Sequence, residues 1–376
     1  NNYERVISKD FKKVLEGYIR GVNVSTAKHP EEVLLKKSLP FKATDMVKGS
    51  TLTLTLFAGA GMALKAIKEN KIQLLFQPNE VGSNSMAIAP SRTEDGKSWL
   101  LVNSHQPIEG RFAWYEAQIK SDEGWNVIGG LFPGGTTIFV GSNPHLGWAH
   151  TTNYHTFGDI YKLKHHGNKY FYDGEWKKFQ IKTAHLRIKL GGIKIGIAKK
   201  IRTCEYGPVF QTSHGWYAVR FPGAMDLRAT EQWYRMNKAN NFSEFEKALK
   251  MEAIPLFNIM YADVDGNIFY ESGCQVPLRD TTLNWKLPID GTSSKYKWNT
   301  LVPYNRKPRL LNPDCGYLYS CNQTPYSVSG NDCKWKGNWI GIQQFNYNRG
   351  ERYGELLGEV KGKFTWSDFN RIKFDE

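Results

Sequence analysis

Cysteine is scarce in this chain. Five are present (Cys204, Cys274, Cys315, Cys321 and Cys333), none in a CxxC pair, which removes the common structural zinc and dithiol redox arrangements. Cys315, Cys321 and Cys333 are close enough in sequence for one disulfide in an oxidising compartment; otherwise they are thiols. No Gly-x-Ser-x-Gly elbow occurs, so a serine hydrolase with a conventional triad lacks support. Gly59-Ala60-Gly61 lacks the strand–turn–helix context of a phosphate loop and is read as close helix packing. No apolar run of membrane-spanning length is recognised, the polar start Asn1-Asn2-Tyr3 is no signal peptide, and no internal repeat or low-complexity tract is found.

What is present is enough apolar material, 40% of 376 residues, for a sizeable core. The 50 Lys and Arg exceed the 36 Asp and Glu, a formal charge of +14, yet the cations are spread through strand-like segments. In the densest stretch Arg187, Lys189, Lys194, Lys199, Lys200 and Arg202 are interleaved with apolar residues, as on the wet face of a hairpin. A nucleic-acid partner is therefore not expected.

Phe11, Val14, Leu15, Tyr18 and Ile19 recur at helical spacing and predict a helix stopping near Gly21. A second helix is expected from Thr44 as N-cap towards Asn70, although Thr51 to Leu56 alternates like a strand. Beyond Ser83 the texture becomes strand-rich. Hairpins are expected at Asp95-Gly96, Asp173-Gly174 and Asp265-Gly266, and short helices behind Ser243 to Glu246 and Thr365 to Asp368. The chain ends at Glu376 a few residues into a helical stretch, as a fragment would.

The change from helix to strand falls at Gly82-Ser83-Asn84. If the bond after Gly82 is cut, Ser83 carries both a hydroxyl and a free amine, whose ordinary pKa of about 7.7 to 8.0 suits a general base. Glycine before the serine has the backbone freedom that attack on the preceding carbonyl requires. The same tripeptide also fits an ordinary turn.

Five separated stretches in order resemble the penicillin acylase family of N-terminal nucleophile hydrolases. They are Gly82-Ser83-Asn84, Val102 to Pro107, Gly147 to Asn153, Phe257 to Asp263 with Gly266-Asn267-Ile268, and Asn322-Gln323-Thr324-Pro325. The resemblance implies an α+β fold, a four-layer αββα sandwich with a helical N-terminal segment. Residues 1–82 would be the end of an alpha chain with a possible linker after Asn70, and residues 83–376 the start of a beta chain, the two forming a processed heterodimer. It further implies that Ser83 is the nucleophile, that His105 orients the amine through main-chain atoms, and that the Thr152 N–H and the Asn258 side-chain amide form an oxyanion hole. Arg279 would support Asn258 and the amine. Phe112, Trp114, Tyr115, Phe132 and Phe139 would wall an apolar acyl pocket.

The implied activity is hydrolysis of a linear amide of a small-molecule acyl substrate, such as a penicillin-like amide, an N-acyl homoserine lactone or an acylated peptide. No cofactor is required. The structural calcium of some relatives is doubtful, because Asn153 to Gly158 offers no carboxylate before Asp159. His145, His150 and His155, spaced by five, are read as structural polar residues. A periplasmic or secreted location follows from the resemblance, with no membrane span. The alternative is a non-catalytic binding protein on the same fold, holding an acyl or sugar ligand in an aromatic groove.

Overall fold

The computed structural model describes residues 2–34, 36–71, 82–155, 158–191, 193–337 and 341–375. The expected linker before Ser83 falls largely outside these residues. Before residue 72 the described backbone is helical and irregular, and the first strand begins at Ser83.

Strand Ser83–Ile88 is buried along nearly its whole length, so each of its faces must meet a different layer. It is the centre of a three-stranded antiparallel sheet between Tyr317–Ser320 and Trp99–Ser104. Its even residues Met86 and Ile88 join Leu101 and Tyr319 against Tyr353, Leu356, Leu357, Phe369 and Ile372 of helices Asn348–Glu359 and Trp366–Lys373. On the opposite face Ala87 meets Ala149, Met260, Ala262, Ile268 and Tyr270 of a seven-stranded antiparallel sheet. The far side of that second sheet packs Trp148, Ile259, Tyr261 and Phe269 on Trp233, Phe245 and Leu249 of helices Ala229–Lys238 and Phe242–Leu249. The order is therefore helix, sheet, sheet, helix: the expected αββα sandwich.

The two-residue period of strands decides which side chains share the middle layer. Ser83, Ser85 and Ala87 face inward, and the register sets Ser85 opposite Ser320. In the larger sheet Asn258 lies between Thr151 and Ser272, and Met260 between Ala149 and Tyr270. One end of the middle layer is thus polar and the rest apolar.

A six-stranded sheet outside the sandwich runs from Gln180–Leu190 and Ile193–Cys204 to Asp159–Leu163 and Ile289–Asp290, around Tyr161, Tyr206, Trp216, Trp285 and Trp298. The hairpin expected at Asp173-Gly174 is present, with both residues at positive φ. Asp265-Gly266 also turns a hairpin, whereas Asp95-Gly96 sits in a longer loop between its strands.

Several boundaries differ from expectation. The first long helix, Lys9–Lys28, passes through Gly21, because buried Phe11 and Leu15 anchor it and Gly21 is exposed. The second begins at Ala43 behind Lys42, whose backbone N–H is taken by Asp45, and the Thr51–Leu56 stretch is helical. Gly59, at φ +90°, breaks its regularity into a π-helical segment, Leu56–Ala60, so the Gly-Ala-Gly run marks a kink. Asn241, and not Ser243, caps helix Phe242–Leu249, while Thr365 caps its helix as expected. Helix Ala43–Glu69 is long and apolar enough by length and composition to cross a membrane. That corrects the reading that no such run exists; part of it packs inside, through Val47, Leu54 and Ile67.

Leu357 is fully buried between its helix and the Ser83 strand's sheet. Leu357→Ala is expected to cost about 2–5 kcal/mol, read as a lower urea midpoint with unchanged slope.

Candidate active site

Ser83 opens its strand at the polar end of the middle layer and is buried. Its hydroxyl donates to the Gly82 carbonyl oxygen at 2.8 Å, and the His105 backbone N–H donates to the same oxygen at 3.2 Å. The carbonyl preceding the serine is thus polarised and within reach of Oγ. A Cβ on Gly82 would collide with the Arg349 guanidinium as it is placed here, so the glycine leaves room for that side chain.

The nitrogen of Ser83 donates to Asn322 Oδ1 at 2.6 Å. Asn322 sits at φ +70°, a conformation asparagine tolerates better than most side chains, and is fixed by its own Nδ2 donating to the Thr152 carbonyl at 2.7 Å. Arg349 donates to the same Asn322 Oδ1 at 3.0 Å, to the Ser83 carbonyl at 3.3 Å and to Asn84 Oδ1. Burial, and then the nearby Arg349 charge, push the His105 pKa down. Neither Asn322, quoted as motif but given no role, nor Arg349 was assigned from sequence. Arg349 joins the site only through contact across 266 residues, which no local pattern encodes.

Asn258 is held at both ends of its amide. Oδ1 accepts from Tyr270 Oη at 2.8 Å and Ser272 Oγ at 2.9 Å, which turns Nδ2 towards Thr151 Oγ1 at 3.1 Å and Ser320 Oγ at 3.3 Å. The orientation is enforced from outside the pair. The Gln343 N–H donates to His155 Nδ1, so the His155 proton is on Nε2 and is donated to Ser272 Oγ at 2.6 Å. Ser272 therefore spends its own proton on Asn258. His150 is fixed in the opposite tautomer, accepting from Trp233 Nε1 at 2.8 Å and facing the Asn258 carbonyl with Nδ1. Burial lowers the His150 pKa to about 4 and, with the Lys307 charge adding, that of His155 to about 3; both are neutral at pH 7. The two histidines are structural polar residues as expected, and His145 is exposed.

A cavity of about 10 Å³, room for about one water, lies against Ser83 and Thr152 with Trp114, Phe132, Phe139, Trp233 and Phe257 as its aromatic lining. Phe132 and Phe139 also face a second cavity of about 260 Å³, shared with Gly49, Thr53, Leu54 and Arg111. Phe112 stands one ring further out, edge-on to Phe132 at 5.6 Å. Tyr115 is 62% exposed and is not part of this wall. Phe57, Trp233 and Phe257 were missed in the sequence. Phe57 comes from the kinked helix and meets Phe112 and Phe257, so the signal available was Gly59. Phe257 is held at φ +94°, its N–H taken by Asn153 Oδ1, a strained backbone directly before Asn258.

Arg279 is placed differently from expectation. Its guanidinium pairs with Asp159 at 3.0 Å, both buried, with Trp298 Nε1 completing the carboxylate. Asn258 is instead oriented by Tyr270 and Ser272, and the cation on Ser83 is Arg349. Asp159, the first carboxylate after Thr152 in the sequence, is engaged in this pair. Among the described residues the cysteines are thiols, with the Cys315 N–H donating to Cys333 Sγ at 3.2 Å.

Residues 1–376 match the family described as penicillin amidase over the whole chain. The chain is 27% identical over 281 residues, 69% of its length, to the acyl-homoserine lactone acylase PvdQ of Pseudomonas putida, and 26% identical over 255 residues, 65% of its length, to the penicillin G acylase of Escherichia coli. It spans only 36% and 29% of those relatives. The thermostable penicillin G acylase from Alcaligenes faecalis superposes with a TM-score of 0.64 at 22% identity, covering 77% of this chain and 51% of the other. A two-sheet sandwich with a buried Gly-Ser junction at the polar end of its middle layer, and a family match along its full length, place this chain in the penicillin amidase family.

Proposed function

We propose that the chain is part of an acylase that matures by cutting itself between Gly82 and Ser83 and then hydrolyses a linear amide through an ester on Ser83. The observation carrying this reading is the junction itself: Ser83 Oγ 2.8 Å from the Gly82 oxygen, with the Ser83 nitrogen already lodged on Asn322. In maturation Oγ attacks the Gly82 carbonyl carbon, the C–N bond breaks as the nitrogen takes the proton, and water hydrolyses the resulting ester. Gly82 is left as a carboxylate and Ser83 as a terminal residue. Residues 1–82 and 83–376 then belong to two chains of a heterodimer.

In turnover the freed amine, oriented by Asn322 and kept largely unprotonated beside Arg349, takes the Oγ proton through one water, for which the small cavity has room. Oγ adds to the substrate carbonyl, the developing oxyanion is met by the Asn258 amide and the Thr152 N–H, and the proton passes to the leaving amine. A water then opens the acyl ester with the Ser83 amine again as base. For Asn258 to serve, one of its N–H groups must exchange a hydroxyl of Thr151 or Ser320 for the oxyanion. Base and nucleophile reside on one residue, so no cofactor is required. The aromatic lining suits an apolar or aromatic acyl group, and displacement of Phe132 or Phe139 would open the way to the larger cavity for a longer chain. Penicillin-like amides, N-acyl homoserine lactones and acylated peptides are the substrate classes, and a periplasmic or secreted site of action goes with them.

Intact-mass analysis of the folded full-length protein is expected to reveal a chain starting at Ser83, and Ser83→Ala is expected to remain joined. A wild-type protein that stays joined while binding acyl ligands would favour the non-catalytic reading. Asn258→Ala is expected to mature and to lose about 10²–10³ in kcat with little change in KM, the scale of one lost oxyanion donor. His150 and His155 take up their protons only near pH 4 and 3, whereas in the unfolded chain they do so near 6.5. The unfolded state therefore gains protons first as the pH falls, and stability drops below pH 6.5. In urea titrations between pH 5.5 and 4.5, His155→Gln is expected to remove about 1.4 kcal/mol per pH unit of that slope.

A further inference from the structure

The hairpin of Gln180–Leu190 and Ile193–Cys204 leaves the body of its sheet. Strand Ile193–Cys204 pairs with the next strand only at Arg202, Thr203 and Cys204, and strand Gln180–Leu190 pairs with Ile193–Cys204 alone, so among the described residues the outer part is a two-stranded ribbon. Its cross-strand register gathers aliphatic side chains on one face, which Lys182 and Lys199 share nearer its base. Leu186 opposite Ile197 and Ile188 opposite Ile195 share one face with Ile193 and Ile201; these six are 41 to 69% exposed. The other face carries Arg187 and, opposite Thr183, Lys200.

From Gln180 to Cys204 the sequence has seven cations (Lys182, Arg187, Lys189, Lys194, Lys199, Lys200 and Arg202) and no Asp or Glu, which is half of the chain's net charge of +14. A ribbon of this kind is costly in water: an isolated two-stranded hairpin is marginal, and here an aliphatic strip lies open.

We propose that this arm docks on an anionic lipid surface, its aliphatic face at the boundary of headgroups and acyl chains and its Lys and Arg heads reaching the lipid phosphates. The charge complementarity is one-sided in the required sense, and only an interface offers both a low-dielectric layer and a plane of negative charge to the same ribbon. A polyanion such as nucleic acid would satisfy the cations and leave the aliphatic strip in water. A second copy would bring two uncompensated cationic arms together along lysine-bearing edges, an arrangement that opposes pairing.

The test is sedimentation of the full-length protein with vesicles of phosphatidylcholine alone or containing about a third phosphatidylglycerol. Binding at least about tenfold tighter to the anionic vesicles is expected, falling with salt. Arg187→Gln with Lys200→Gln is expected to weaken it about 25-fold, at about fivefold per charge. Ile188→Ser with Ile195→Ser is expected to weaken it at least as much, with unchanged circular dichroism and melting temperature in both variants. Equal or absent binding to the two vesicle types would overturn the proposal. So would anionic binding indifferent to the isoleucine pair, or a concentration-dependent dimer that the isoleucine pair abolishes in a protein that ignores vesicles.

Discussion

The hydrogen bond from the Ser83 nitrogen to Asn322 Oδ1 is the constraint on which the rest of the site depends. It fixes the position of Ser83, which in the proposed function acts twice, first as attacker of its own preceding carbonyl and then as base and nucleophile. Asn322 can hold that position because its backbone adopts a left-handed conformation and its other amide end is tied to Thr152. A single carboxamide thereby links the serine to the segment proposed to supply an oxyanion donor. Buried polar contacts of this kind are expensive to leave unmade, and that keeps the geometry singular.

The same economy governs the strand register. Because side chains alternate, the residues that must converge, Ser83, Thr151, Asn258, Ser272 and Ser320, are delivered to one layer by antiparallel pairing, while Ala87, Ala149, Met260 and Leu318 close that layer with apolar contacts. A one-residue slip of strand Asn258–Asp263 would send Asn258 to the helix side and put Ile259 among hydroxyls. Neutral His155 extends the control further: its fixed tautomer commits the Ser272 proton, and Ser272 commits the Asn258 amide.

Much of this was legible in the sequence. Alternating strands after Ser83, the Asp173-Gly174 turn, the Thr365 cap and the ordered motifs yielded the sandwich and placed Ser83, His105 and Thr152 around one junction, with Asn258 paired to the neighbouring Thr151. What was not legible depended on contacts distant in the chain. Arg349 reaches Ser83 only through the fold, Phe57 is aimed by a glycine kink that reads as helix packing, and exposed Tyr115 opens a strand that Trp114 just precedes. Helix ends were shifted for local reasons, since burial of Phe11 and Leu15 outweighs one exposed glycine.

The contrast between the two arginines shows why proximity in a motif does not assign an electrostatic role. Arg279 is buried against Asp159, and a cation neutralised at 3.0 Å by a carboxylate projects little field on a third group. Among the described residues the partners of Arg349 at the junction are carbonyl and carboxamide oxygens, so its charge there is solvated by dipoles and not cancelled by an anion. A cation in that state disfavours protonation of a neighbouring amine, and the carboxamide oxygen they share keeps the two groups in register. In the proposed reaction the residue that tunes the base is therefore the one whose charge the fold leaves uncompensated beside Gly82, and the lack of a Cβ at Gly82 is what lets the guanidinium come so close.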